Sequence, residues 1–186
     1  MFEFQYLSGI LPADPDRDEA NDRWVWGYGD PSEGRINGID LSIEHILKTL
    51  DRDGPFAGIV GFSSGAAMAA VITSILEKRQ TLHDPSWKAQ HPSFKFSVCL
   101  SGFTLGPLYQ QIYTPYIVTP ALLAIGSDDP VVLPAQTRSL ADRFQDARLF
   151  EFTGIHYIPQ FKEFPRFHSS LVYFLETIFD TPTVKL

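Results

Sequence analysis

Gly58-Ile59-Val60-Gly61-Phe62-Ser63-Ser64-Gly65-Ala66-Ala67-Met68-Ala69-Ala70 is the stretch from which the rest of the chain can be read. A short apolar run ends at Gly61, and small helix-forming residues begin just past Ser63. Gly61-x-Ser63-x-Gly65 at such a junction is the pattern of a nucleophile elbow, a tight turn that holds a serine hydroxyl above the end of a parallel strand. Glycine is expected at both 61 and 65 because strand and helix approach closely there, and a Cβ at either would meet the neighbouring backbone. The plain alternative is an ordinary strand-to-helix turn capped by Ser63 or Ser64.

On the C-terminal side, Met68, Val71, Ile72, Ile75 and Leu76 form one apolar helical stripe, which reads as core. Apolar runs at Lys95 to Leu100, Ala121 to Ile125 and Leu149 to Phe152 read as further strands. Pro134 suits the first turn of a helix with Leu140 and Phe144 inward, and Phe167, Leu171, Phe174, Leu175 and Ile178 mark a closing helix. On the N-terminal side, Ile39, Ile43, Ile46, Leu47 and Leu50 predict a helix over Asp40 to Leu50 with Asp40 as N-cap, stopped by Asp53-Gly54-Pro55. Phe2 to Leu7 reads as a strand closed by Ser8-Gly9. Leu11 to Gly38 reads as a long irregular excursion, a kind of loop that tends to carry function. Arg79 to Ser93, with His83, Asp84 and His91, reads as a solvated loop without metal-ligand spacing. Strands alternating with helices, the strands continuously apolar, predict a mostly parallel sheet with helices on both faces in a single domain over 1–186.

Composition narrows the partners. A net charge of −7 argues against nucleic acid and against anionic membrane surfaces. With 44% apolar and 20% charged residues the chain has the make-up of a globular domain. The one cysteine, Cys99, lies in an apolar run and reads as a small buried core residue. No charged-then-apolar leader and no membrane-length apolar run is visible, so the expected compartment is cytoplasmic and reducing.

A serine hydroxyl attacks only when a base takes its proton, and that base needs a carboxylate to set its tautomer. In the elbow architecture these follow in the order serine, acid, histidine. The run Ala121–Ile125 ends in Gly126-Ser127-Asp128-Asp129, and the next strand ends in Phe152-Thr153-Gly154-Ile155-His156. Asp128 and Asp129 both qualify as the acid by spacing, and His156 is the candidate base. Trp24 and Trp26 could line a pocket or staple their loop to the body. Phe103, Leu105, Tyr109 and Tyr113 could form a second wall of that pocket or plain packing.

These motifs resemble those of the FSH serine hydrolases, a family that includes a fungal thioesterase releasing a polyketide acid. The resemblance runs over nearly the whole chain, through Phe2–Leu7, Gly54–Ala66, Phe94–Phe103 and the two later strand ends. It implies an α/β-hydrolase fold with Ser63 as nucleophile, His156 as base, Asp129 as the acid, and the backbone N–H of Ser64 in the oxyanion hole. Ser64 stands where the family usually has Gln, and Ile155 where it usually has glycine. The family's first strand, which ends in a Leu-His-Gly turn with a second oxyanion donor, has no counterpart before Phe2, so the fold is expected to be N-terminally shortened.

The resulting expectation is a serine hydrolase without metal or cofactor, cleaving acyl esters or thioesters, with a polyketide synthase carrier protein as a partner the resemblance suggests. The alternative is a catalytically impaired remnant that binds an acyl chain or a carrier protein. A third reading has a substrate carbanion or hydroxyl, in place of water, resolve the acyl-enzyme into a ring.

Overall fold

The computed structural model describes residues 3–16, 23–30, 34–78 and 87–179. Two short strands, β1 (Leu11–Pro12) and β2 (Trp24–Val25), pair antiparallel at the start of the chain. Helix α1 (Ile39–Asp53) leads to β3 (Gly58–Phe62), and α2 (Ser64–Lys78) follows the elbow. Then come β4 (Phe96–Leu100), a 3₁₀ helix (Pro107–Tyr113), β5 (Ala121–Gly126), α3 (Pro134–Ala141), β6 (Ala147–Phe152) and α4 (Pro165–Phe179).

Strands β3 to β6 form one parallel sheet in sequential order, with Val60 opposite Val98, Val98 opposite Leu122 and Leu122 opposite Arg148. Alternation along each strand sends side chains to two separate cores. Cys99, Ala121 and Leu123 face α1, α2, α3 and the 3₁₀ helix, whereas Phe96, Val98, Leu100, Leu122 and Ala124 face Phe167 and Phe174 of α4. The two central strands are buried at every position, as continuous apolar runs require. Cys99 is fully buried, and burial pushes its thiol pKa up to about 12. No helix among the described residues is long and apolar enough to cross a membrane.

Four local expectations are corrected. Of the strand expected over Phe2 to Leu7, residues 3–7 carry no regular structure; Phe4 and Tyr6 are 62% and 88% exposed, and Gln5 donates to Asp53 at 2.8 Å. A strand needs a neighbour to bond, and among the described residues the sheet ends at β3. Gly38, in the left-handed region at φ 80°, occupies the cap of α1 in place of Asp40, which lies inside the first turn where its charge favours the helix dipole. The helix runs on to Asp53, where the Gly54 N–H bonds the Leu50 carbonyl and Pro55 can extend it no further.

The polar stretch before β4 is also less solvated than its composition implies. Trp87 and His91 are buried. His91 Nε2 accepts the Phe56 N–H at 2.7 Å, its Nδ1–H donates to the Pro92 carbonyl at 2.6 Å, and Asp51 accepts from the N–H groups of Gln90 and His91. The histidine thus satisfies backbone groups of the turn ahead of β3. His83 and Asp84 lie outside the described residues.

Candidate active site

The elbow is built by close packing. A Cβ on Gly61 would sit 2.2 Å from the Gly65 carbonyl oxygen, a backbone atom of the next helix, so only glycine lets β3 and α2 approach this far. Gly65 is different, contrary to the expectation for both glycines: a Cβ there would meet nothing closer than Trp26 Nε1, at 3.9 Å. Its missing side chain leaves open space in front of the helix. Ser63 itself takes a left-handed conformation at φ 55°, which costs a non-glycine residue about 1–3 kcal/mol. That turn is held because the Ser63 N–H donates to Leu100 and its carbonyl accepts from both Ala66 and Ala67. The N–H groups of Ser64 and Gly65, first in α2, have no acceptor among the described residues, as helix geometry dictates.

The acid and the base come from the loops after β5 and β6, which brace each other. The N–H of Ser127 bonds Phe152, and that of Asp128 bonds Gly154. A Cβ on Gly126 would lie 2.8 Å from the carbonyl oxygens of Gly154 and Ile155, so the two loops touch backbone to backbone. His156 Nε2 lies 2.9 Å from Ser63 Oγ, and its Nδ1 lies 2.8 Å from Asp129 Oδ2. The imidazole also packs on the ring of Phe62, 4.7 Å between centroids and tilted by 34°. Ile155 is exposed, and its bulk does not keep His156 from Ser63.

The structure separates the two aspartates that spacing left equivalent. Asp129 is buried, its Oδ1 accepting from the N–H groups of Val131 and Val132 at 2.9 Å each and its Oδ2 facing His156. Burial pushes this carboxyl up, but the hydrogen bond from His156 and those from Val132 and Val131 outweigh it and hold the pKa below the ordinary value. Asp128 is exposed, and among the described residues its side chain accepts only from the Ser127 hydroxyl. An ionised Asp129 can only accept, so the proton sits on Nδ1 of His156 and leaves Nε2 free to accept from the Ser63 hydroxyl.

The expected pocket residues divide. Trp26 is half-buried beside Gly65, Trp24 is exposed on β2, and Phe103 packs half-buried against the larger core. Leu105, Tyr109 and Tyr113 are core residues and line no open wall. The Tyr109 hydroxyl accepts the Ile36 N–H and the Tyr113 hydroxyl accepts the Leu105 N–H, so both phenols satisfy buried backbone. Apolar side chains are exposed on the loops that carry the acid and the base: Val131 after β5, and Ile155, Ile158 and Phe161 after β6. Spacing could not have shown this, because loop residues carry no periodicity. Among the described residues, no group of three or more His, Cys, Asp or Glu could hold a metal ion.

Comparison with known proteins agrees with this geometry. The sequence profile described as "Serine hydrolase (FSH1)" matches residues 1–167. A Schizosaccharomyces pombe protein named dihydrofolate reductase is 30% identical over 161 residues, which take in 80% of this chain and 34% of that protein. Esterase OVCA2 of Danio rerio is 33% identical over 124 residues, 66% of this chain and 51% of the esterase. The chain thus spans a third to a half of the length of these relatives. Among solved structures, Zea mays acyl-protein thioesterase 2 superposes with a TM-score of 0.55 at 22% identity, over 81% of this chain and 72% of that one, which shows the shared α/β-hydrolase fold. With its profile covering most of the sequence and its elbow built as described, the chain belongs to the FSH1 serine hydrolase family.

Proposed function

We propose that this chain is a serine hydrolase that cleaves acyl esters or thioesters through an acyl-Ser63 intermediate. The observation that carries this reading is the single imidazole of His156 joining Ser63 Oγ on one side to buried Asp129 on the other. Ser63 Oγ bonds to the acyl carbon as His156 Nε2 takes the hydroxyl proton, and the carbonyl π pair moves onto oxygen, where the Ser64 N–H can meet it. Collapse restores the carbonyl and expels the alcohol or thiol, which leaves with the proton from His156. Water, deprotonated by the same nitrogen, then attacks acyl-Ser63. The proton returns to Ser63 Oγ as the acid departs. Asp129 keeps the imidazole in its productive tautomer and stabilises its charged form.

Family membership and relatives named esterases support the hydrolytic chemistry. A thioester carried by a polyketide synthase carrier protein is the finer substrate class, supported by the family resemblance. The apolar side chains exposed on the loops after β5 and β6 suit an acyl chain. A lone buried thiol at Cys99 suits a reducing, cytoplasmic compartment. A second reading, a module that binds acyl groups without turnover, is favoured by one observation: β3 lies at the sheet edge among the described residues, with Val60 49% exposed.

A fluorophosphonate probe separates the two readings. Labelling of the wild type that disappears in Ser63→Ala is the expected result; a folded wild type that takes no label would overturn the hydrolase reading and favour the binding module. Comparing a butyryl oxyester with the matching N-acetylcysteamine thioester then tests the substrate class, with the thioester expected to turn over faster.

A further inference from the structure

An attack by Ser63 creates an oxyanion, and one N–H rarely suffices to hold it; such sites pair the donor that follows the nucleophile with a second. Ser64 supplies the first. Outside its chain neighbours and the backbone of α2, one atom among the described residues comes within 4 Å of where a Cβ on Gly65 would stand: Trp26 Nε1, at 3.9 Å. In a helix the Cα–Cβ bond tilts toward the N-terminus, so this space lies on the side from which the Ser64 N–H emerges. The indole N–H has no acceptor among the described residues, although the ring packs against the larger core.

The segment that carries Trp26 is held in place despite its irregular sequence. Val25 pairs with Leu11, the N–H and carbonyl of Tyr28 both bond Asn37, and the Tyr28 hydroxyl donates to the Pro12 carbonyl at 2.5 Å. A Cβ on Gly9 would strike the Val25 backbone at 2.4 Å, and one on Gly27 the Ile36 side chain at 2.5 Å. Neighbours thus clamp both flanks of Trp26. A clamped, unspent donor whose nitrogen stands 3.9 Å from the Cβ position of Gly65, the second residue of α2, is the kind of arrangement that stabilises charge without reorganisation.

We propose that the Trp26 indole N–H is the second donor to the oxyanion formed on attack by Ser63. This rests on the acyl-transfer reading of the site. As the Ser63 Oγ–carbon bond forms and the carbonyl pair moves onto oxygen, Ser64 N–H and Trp26 Nε1–H meet that oxygen, while the hydroxyl proton goes to His156. The open position at Gly65 is the room this oxygen needs.

The test is Trp26→Phe, which keeps an aromatic ring and removes the donor, assayed on a p-nitrophenyl ester. The expected result is a kcat lower by about 10²–10³-fold with KM nearly unchanged, the loss typical of one oxyanion donor. Affinity for an alkylboronic acid, whose adduct on Ser63 places an oxygen at the same point, should fall by a similar factor. Wild-type kcat in Trp26→Phe, or a loss carried by KM alone, overturns the donor role and leaves Trp26 a pocket wall. Should the phenylalanine variant not fold, 3-benzothienylalanine at position 26 preserves the ring shape without the N–H, and the same outcomes apply. Absence of Ser63-dependent turnover in the wild type would instead overturn the acyl-transfer reading, and the donor role with it.

Discussion

Asp129→Asn is the substitution whose outcome the geometry constrains most tightly. The two side chains have the same shape, and the Asn oxygen can keep the two N–H bonds that Asp129 Oδ1 accepts from Val131 and Val132, so the loop should stay in place. Its amide nitrogen would then face Nδ1 of His156, a donor opposite a donor. The carboxylate side chain is 1% exposed, so bulk water has little access to relieve the clash. The imidazole must move its proton to Nε2, and there it can no longer accept from Ser63 Oγ. An acid-to-amide exchange of this kind costs about 10⁴ in kcat, or ~5.4 kcal/mol at ~1.36 kcal/mol per tenfold. Asp128→Asn, on an exposed side chain bonded among the described residues only to Ser127, should leave kcat within about twofold, ~0.4 kcal/mol on the same scale. Ester turnover by both variants, with folding checked by thermal melting, decides the matter. Asp129→Asn within tenfold of wild type, or Asp128→Asn equally impaired, would refute the assignment. A pH dependence accompanies it: the Asp129 pKa is lowered on folding, so its stabilising effect is fully present above the unfolded value of about 3.9 and is lost as pH falls through the native value. The stability gap between wild type and Asp129→Asn should therefore narrow on acidification through that range, as acid titrations of unfolding would record.

Gly61→Ala should lower the melting temperature by roughly 2–12 °C, because overpacking costs about 1–3 kcal/mol and each kcal/mol shifts a chain of this size by about 2–4 °C. Gly65→Ala, with no contact nearer than 3.9 Å, should melt close to wild type; equal losses in a thermal scan would show that the two glycines do the same job. His91→Ala should cost about 1–3 kcal/mol by stranding the Phe56 N–H, and His91→Gln less, since its amide oxygen can accept in place of Nε2. Urea midpoints at unchanged slope measure both, and an alanine variant as stable as wild type would remove His91 from the account of this turn.

Sequence alone determined the order of strands and α-helices from Ile39 onward, because burial leaves a pattern that neighbours along the chain reveal: β3 falls on the apolar run that leads to the elbow, and cores on both faces of the sheet follow from the continuously apolar β4 and β5. It also determined the elbow, since a strand, a strained serine and a glycine that must be glycine are all local. Tertiary structure decided everything that depends on residues far apart meeting. Asp128 and Asp129 are adjacent turn residues with equal local claims, and only the approach of the His156 loop, 27 residues on, selects one. Tyr109 and Tyr113 look like pocket aromatics until Ile36 and Leu105 are seen to use their hydroxyls. The segment Phe2 to Leu7 reads as a strand, yet a strand is a paired object, and its existence rests on a neighbour that local sequence does not report.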